Sequence, residues 1–340
     1  MLLDFFNRVR YHIGYYNLTK RFLKLDLPEL TESEKNKIRE IWKGLHIYDM
    51  DFVNARVYKK IQGFSPYYLS PCWYNELRTK FNPKDQVYSL ENKAMCDVYF
   101  PELRFPEPIV RCLNGSFYDK ELRFLGRKEA KNILLSQSVF VIKPSIGTEQ
   151  GEGVRKVIVD RNTDLDKIFD ETGKDFIAQK LISQASEIKN LNPSSLNCFR
   201  VTTMYFNGRF GYSTALKVGK KGSFRDNWNS AYWIDVSTDG KLKKYGYDYN
   251  LNPVEKSDNG ILFEGVQMPK YEEMIDHLEK MHKKLFPNCG VIGWDVTITE
   301  DYRICVIETN LWDPGTNIEQ FVCGDFFRPF HDDMLAYINI

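Results

Sequence analysis

Two stretches of this 340-residue chain combine residue types whose spacing could do chemistry. The first, Lys143-Pro144-Ser145-Ile146-Gly147-Thr148-Glu149-Gln150-Gly151-Glu152-Gly153-Val154, puts three glycines and two hydroxyls just beyond a lysine that ends an apolar strand. Glycine permits the positive φ angles and close approach by which backbone N–H groups wrap around phosphate oxygens. Phosphate loops of the Walker and dinucleotide types run into a helix. This one runs into Val154, Val157, Ile158 and Val159, which predicts a second strand and therefore a hairpin flap. A flexible surface hairpin would carry similar glycines, so the loop marks a candidate phosphate site without defining one.

The second stretch is Val291-Ile292-Gly293-Trp294-Asp295-Val296-Thr297-Ile298-Thr299 followed by Arg303-Ile304-Cys305-Val306-Ile307-Glu308-Thr309-Asn310. Alternation puts Ile292, Trp294, Val296 and Ile298 on one face of a strand and Asp295 on the other. A turn centred on Asp301 and Tyr302 would bring Asp295 opposite Glu308, with Cβ atoms about 5 Å apart. Two carboxylates at that distance repel and need a proton or a cation. With Asn310 as a third oxygen donor and no thiolate or imidazole nearby, the set is hard and suits Mg²⁺ carrying nucleotide phosphates. The alternative is a solvated hairpin with three unrelated polar residues. An unpaired Glu308 in an otherwise apolar strand would be costly and argues against it.

The elements that must position these groups can be read around them. Residues 1–27 alternate Leu2, Leu3, Phe5, Phe6, Val9 and Ile13 with basic residues, which predicts a basic amphipathic helix that docks on the body or meets a membrane surface or a protein partner. Thr31 and Glu34 form a capping box opening a helix through about Leu45. The Pro-, Tyr- and Trp-rich text from Gln62 to Pro83 reads as an aromatic loop region. Beyond it come a short helix near Lys93 to Tyr99, strands at 139–142 and 154–159, strands at 200–206 and 210–218, and a helix from about Tyr271 to Leu285. Asp226, Asn227 and Trp228 lie in a Gly- and Asn-rich segment that reads as an ordinary loop, with closure on substrate the alternative.

Composition removes several classes of function. There are 47 Lys plus Arg against 46 Asp plus Glu, a net charge of +1, so no global field draws the chain to nucleic acid. With 23 Phe, 20 Tyr and 6 Trp it has too much aromatic mass for a disordered chain. Seven cysteines without a CxxC pair encode neither a zinc ribbon nor a disulfide framework, and the five histidines show no metal-ligand spacing. No apolar run approaches the roughly 20 residues that cross a bilayer, and no signal peptide opens the chain, so a cytoplasmic location is expected.

Taken together, these features resemble the ATP-grasp superfamily, and most closely its sugar-transfer-associated branch in surface polysaccharide biosynthesis. The resemblance spans about residues 60 to 330. It is carried by Asn92-Lys93, Lys143-Pro144 with the glycine flap, Ile177-Ala178-Gln179-Lys180-Leu181-Ile182, Ser195-Leu196-Asn197-Cys198-Phe199-Arg200-Val201-Thr202, Gly293-Trp294-Asp295 and Ile307-Glu308-Thr309-Asn310. It implies an α+β fold in which two subdomains clamp a nucleotide: a helical N-terminal extension (1–88), a first subdomain with the flap (89–182) and a second with the metal hairpin (183–340). Lys93 and Lys143 match the lysines that approach the phosphates, with Ser145, Gly147, Thr148, Gly151 and Gly153 in the flap above them. Gln179, Lys180, Leu181 and Ile182 match the adenine-reading hinge, and Glu187 the acid at the ribose. Asp295, Glu308 and Asn310 match the metal ligands. Arg200 matches the basic residue on the γ-phosphate, assisted by Lys217. Many members begin with a doubly wound α/β domain that helps bind substrate. Residues 1–85 read otherwise, so the acceptor pocket does not carry over.

The implied cofactors are ATP and Mg²⁺, as two ions, with Mn²⁺ able to substitute. The implied activity is an ATP-dependent carboxylate ligase: Lys143, Arg200 and Lys217 assist phosphoryl transfer to a carboxylate, and an amine then displaces phosphate from the acyl phosphate. Small sugar or amino-acid substrates are the expected partners. The rival readings are a phosphotransferase on the same fold and a non-catalytic nucleotide-binding module.

Overall fold

The computed structural model describes residues 19–148, 151–224 and 228–337. Most of the predicted N-terminal helix, and Asp226 with Asn227, lie outside them. The architecture is α+β, built on two wholly antiparallel sheets.

The smaller sheet contains β1 (Pro108–Leu113), β2 (Ser116–Tyr118), β3 (Phe124–Leu125), β4 (Val139–Pro144), β5 (Arg155–Ile158) and β6 (Phe176–Gln179), in the order β3-β2-β1-β6-β4-β5. Phe140, Ile142, Phe169 and Phe176 fill its core beneath the helices Arg127–Leu135 and Leu165–Thr172. The larger sheet contains β7 (Cys198–Phe206), β8 (Arg209–Gly219), β9 (Ala231–Val236), β10 (Leu242–Tyr247), β11 (Pro253–Val254), β12 (Val291–Ile298) and β13 (Ile304–Asn310), in the order β11-β10-β9-β8-β7-β12-β13.

One face of the larger sheet packs on the helix Tyr271–Leu285. Met274, Leu278 and Met281, at helical spacing, meet Phe199, Val201, Trp294 and Val296. Fully burying each such side chain is worth about 1.5–3 kcal/mol. N-terminal and C-terminal helices cover part of the opposite face. Phe22, Trp42, Trp73, Leu77 and Phe81 share one core with Met204, Phe206, Phe321, Phe330 and Met334. Every residue of β12 is consequently buried, Asp295 and Thr297 included.

The Thr31–Glu34 capping box is present, but its helix, Glu32–Ile41, stops at Trp42 rather than at Leu45. The larger correction concerns residues 62–83. Instead of a loop throughout, the chain forms the helix Pro71–Phe81. Pro71 occupies the first turn, where a missing N–H costs nothing. Cys72, Trp73, Leu77 and Phe81 then supply its buried side.

Candidate functional site

The strands bring the polar residues of the larger sheet into rows across the face turned away from the helix Tyr271–Leu285. One row runs Asp235, Ala215, Arg200, Asp295, Glu308 through β9, β8, β7, β12 and β13. The expected pairing of Asp295 with Glu308 is observed, although a single regular register does not produce it. Val296 pairs with Val306 and Ile298 with Ile304, a register that would leave Asp295 opposite Ile307. A bulge between Asp295 and Val296 absorbs one residue. It keeps Val306 in the core and turns Glu308 to the other face, beside Asp295.

Asp295 Oδ1 lies 2.8 Å from Lys217 Nζ and 3.3 Å from Arg200 Nε. Burial alone would raise its carboxyl, but Arg200, Lys217 and a hydrogen bond from Asn310 hold it below the usual aspartate value. Glu308 Oε1 lies 3.0 Å from Lys93 Nζ. The Lys93 N–H donates to Ser145 O, which ties this turn to the end of β4 and to Lys143. Lys143 is buried, and desolvation lowers its ammonium pKa against the favourable field of Glu308, while Lys93 lowers it further. Four cationic side chains thus surround two carboxylates. An excess of positive charge in a partly buried site favours an anion there, and a polyphosphate is an anion of suitable charge.

The flap is the predicted hairpin, with Ile142 on β4 paired to Arg155 on β5. Gly147, Gly151 and Gly153 have φ of 69°, 69° and 72°. A Cβ at Gly153 would come within 2.8 Å of Pro144, so the chain can turn back there only as glycine. Ser145 Oγ is buried and, among the described residues, has no hydrogen-bond partner, which fits a group prepared for a ligand. Thr148 lies at the edge of the described part of the flap.

The segment Gln179 to Ile182 leaves the smaller sheet at the end of β6 and reaches the larger one, where Gln184 bridges Thr299. Gln179 Nε2 donates to Pro106 O, and Lys180 is occupied on its outer side, with its N–H on Glu107 O and its Nζ 2.8 Å from Glu107. Leu181 is exposed. Glu187 receives hydrogen bonds from Tyr302 Oη and Ser186 Oγ.

The candidate metal donors are all oxygens. Among the described residues no group of three or more His, Cys, Asp or Glu side chains could hold a metal by itself. Asp295 and Glu308 therefore fit a hard cation only if phosphate oxygens and Asn310 complete the sphere. Asn310 Nδ2 donates to Gly293 O at 3.1 Å, so the amide would have to rotate for its oxygen to face Asp295.

Sequence reasoning missed the loop that follows Asn310. Arg78, on the helix Pro71–Phe81, donates to Trp312 O at 2.8 Å, stacks 4.1 Å above the Trp312 ring and lies 3.2 Å from Asp313 Oδ2. Arg200 Nη1 donates to Pro314 O at 3.1 Å. The helix carrying Arg78 had been masked by its Pro- and aromatic-rich start. Glu319 was also missed. It is buried against Thr202 on β7, and burial pushes its carboxyl up to about 8.

Residues 168–330 match the family model for sugar-transfer associated ATP-grasp. The match bears out the resemblance drawn from the sequence over the hinge, β7, β12 and β13. Lys93, Lys143 and the flap lie before it. No curated protein matches the sequence. Structural similarity extends to D-alanine-D-alanine ligase from Helicobacter pylori, at 14% identity and a TM-score of 0.39, covering 73% of this chain and 57% of that one. An L-amino acid ligase from Bacillus licheniformis is similar at 14% identity and a TM-score of 0.42, covering 72% and 48%. N5-carboxyaminoimidazole synthetase from Staphylococcus aureus, complexed with ADP, is similar at 12% and 0.42, covering 73% and 52%. This chain thus spans about half to three fifths of those proteins.

Proposed function

We propose that the protein is an ATP-dependent carboxylate ligase that activates its acid as an acyl phosphate and passes the acyl group to an amine. The observation that carries this reading is the convergence of Lys93 from a turn, Lys143 from the smaller sheet, and Arg200 and Lys217 from the larger sheet on the Asp295–Glu308 pair. The acid in this reading is a sugar or amino-acid carboxylate used in surface polysaccharide biosynthesis, which the description of the matching family model, sugar-transfer associated ATP-grasp, supports. The chain divides functionally into residues 1–88, 89–182 and 183–340, with nucleotide held between the last two.

In this reading Lys93 and Lys143 receive the phosphates beneath the flap, where Ser145 Oγ and the N–H groups around Gly147, Thr148, Gly151 and Gly153 add donors. Gln179 to Ile182 flank the base through their backbone, and Glu187 takes the ribose hydroxyls. Asp295, Glu308 and Asn310 would hold Mg²⁺, with Mn²⁺ as a substitute, and the ion neutralises phosphate charge and polarises the bond to be broken. Arg200 and Lys217, released from Asp295, stabilise charge on the transferring phosphoryl group. The closed flap keeps water from the acyl phosphate, which hydrolyses readily.

The test is ADP release in the presence of Mg²⁺ and hydroxylamine with a panel of uronic and amino acids. A hydroxamate is expected for at least one acid. An alkali-stable phosphate ester would replace the ligase reading with a phosphotransferase, and nucleotide binding without turnover would leave a binding module. Among the described residues no helix is long and apolar enough to cross a membrane.

A further inference from the structure

Lys93 lies on the turn between the short helices that end at Glu91 and begin at Cys96. Its ammonium sits on a flexible four-carbon stem, so it can be held in one place only if the backbone beneath it is fixed from outside. Three contacts do this. Glu91 Oε1 accepts the N–H groups of Leu311 and Trp312, just beyond β13, at 2.6 and 2.7 Å. The Lys93 N–H donates to Ser145 O at 3.0 Å. The third contact is Arg111 on β1. Its Nη1 donates to Ala94 O, and Nη1 and Nη2 each lie 2.6 Å from one oxygen of the Asp97 carboxylate. Nη2 also reaches Lys120 O at 3.3 Å.

The register of the smaller sheet links Arg111 to Lys143. Arg111 pairs with Ile177 on β6, and Ile177 pairs with Lys143 on β4. Residues directly opposite one another share a face, so Arg111 and Lys143 leave the sheet on the same side, with one strand and about 10 Å between their backbones. Their sequence neighbours Cys112 and Ile142 point the other way, into the core of the smaller sheet. Ala94 and Asp97 are held at the Arg111 end of this row, and Lys93 at the other end, through Ser145 two residues beyond Lys143. The Arg111 side chain is wholly buried and its fork is spent on Asp97, so a nucleotide cannot reach it. Any effect of Arg111 on a nucleotide therefore passes through the turn. A buried ion pair of this kind is weak evidence for stability, whereas its two parallel bonds fix position.

We propose that Arg111 is the positioning residue for Lys93: by clamping Ala94 and Asp97 to the row that carries Lys143, it makes the two lysines one preorganised receptor for phosphate. The inference rests on the reading above in which Lys93 and Lys143 receive the nucleotide phosphates. An ammonium already held in place loses less freedom when a phosphate arrives, and the nucleotide is bound correspondingly more tightly. Asp97 is the part of the clamp that solvent reaches, with 29% of its side chain exposed. Lysine does not substitute for Arg111, because a single ammonium does not present two parallel N–H groups to a carboxylate.

The experiment is a double-mutant cycle read by calorimetric titration with ADP and Mg²⁺. Wild-type protein, Arg111→Met, Asp97→Asn and Lys93→Met are compared with the two double variants that carry Lys93→Met, and thermal melts establish that each is folded. Arg111→Met and Asp97→Asn should each weaken ADP about 10-fold when Lys93 is present, and by less than about 2-fold when it is methionine, as for residues that act through one another. Asp97→Asn also separates the clamp from simple charge. Removing an acid near a polyphosphate strengthens binding through the field alone, whereas loosening the clamp weakens it. The partial exposure of Asp97 keeps this arm decisive if Arg111→Met fails to fold. Tighter ADP binding by Asp97→Asn, an equal loss with and without Lys93, or wild-type affinity in Lys93→Met overturns the positioning role. Wild-type protein that binds no ADP overturns the nucleotide reading and this inference with it. The expected coupling without any hydroxamate upholds the inference and refutes only the ligase.

Discussion

Replacing Lys143 by methionine should make the ligand-free protein more stable while removing its grip on nucleotide. The ammonium is buried at the end of β4, and its nearest acid, Glu308, is already shared with Lys93 at 3.0 Å. Replacing buried charge by a well-packed apolar side chain ranges from neutral to stabilising by about 4 kcal/mol, and Glu308 keeps Lys93 as its partner, so no carboxylate is left uncompensated. Unfolding entropy of about 2.1 cal/mol/K per residue gives about 0.7 kcal/mol/K for 340 residues, so the gain amounts to about 1.4 °C in Tm per kcal/mol. The sign of the pH dependence is fixed by the lowered pKa of Lys143. Between its folded value and the ordinary 10.5 the unfolded chain binds the additional proton, so wild-type stability rises with pH across that window. The advantage of Lys143→Met should be largest below the window and shrink as pH approaches 10.5. Thermal melts at pH 7 and pH 9.5 without ligand measure it. Melts with Mg·ADP at about 100 times its Kd should then add about 2.7 kcal/mol to wild type and far less to the variant. A variant less stable than wild type at pH 7, or one that keeps wild-type stabilisation by Mg·ADP, would refute the reasoning.

Other outcomes follow from the same surroundings. Glu319, at about 8 when folded and 4.5 as the reference, binds more protons in the folded state, so wild-type stability should fall as pH rises from about 5 to 8. Glu319→Gln should flatten that fall in urea titrations. At Gly293 a Cβ would lie 2.7 Å from Arg200 Nη1 and 2.8 Å from Pro314 Cβ. Gly293→Ala should cost about 1–3 kcal/mol in chemical denaturation and weaken ATP binding measured by calorimetry. Asp295→Asn removes the carboxylate that lies 2.8 Å from Lys217 and 3.3 Å from Arg200 and should lose about 3–5 kcal/mol, together with Mg²⁺-dependent ADP release. Full retention of that activity would remove Asp295 from the metal site.

The sequence pattern revealed most of the candidate site because its signals are local. Strict alternation in Val291 to Ile298 identified the face of Asp295, and glycine spacing identified the flap. The pairing of Asp295 with Glu308 was inferred from a uniform register that the strands do not keep; a bulge produces the same pair by another route, and nothing in the strand text specifies where a ladder will admit an extra residue. The loop beyond β13 was illegible for a different reason. Arg78 and Asp313 are 235 residues apart, and each has an ordinary local setting, a helix and a Pro-Gly turn. Only the packing of the helix Pro71–Phe81 against the loop beyond β13 turns them into a pair.

The core shared by the two ends of the chain has a consequence for biosynthesis. Gln62 finds its partner carbonyl on Phe321, 259 residues later. At translation rates of about 5–20 residues per second, the aromatic N-terminal helices must wait about 13–50 s for the segment that covers them. During that interval Trp42, Trp73 and Phe81 lack part of their native cover. The nascent chain is then a substrate for holdase chaperones, and expression yield should respond to slowed elongation well before the stability of the finished protein does.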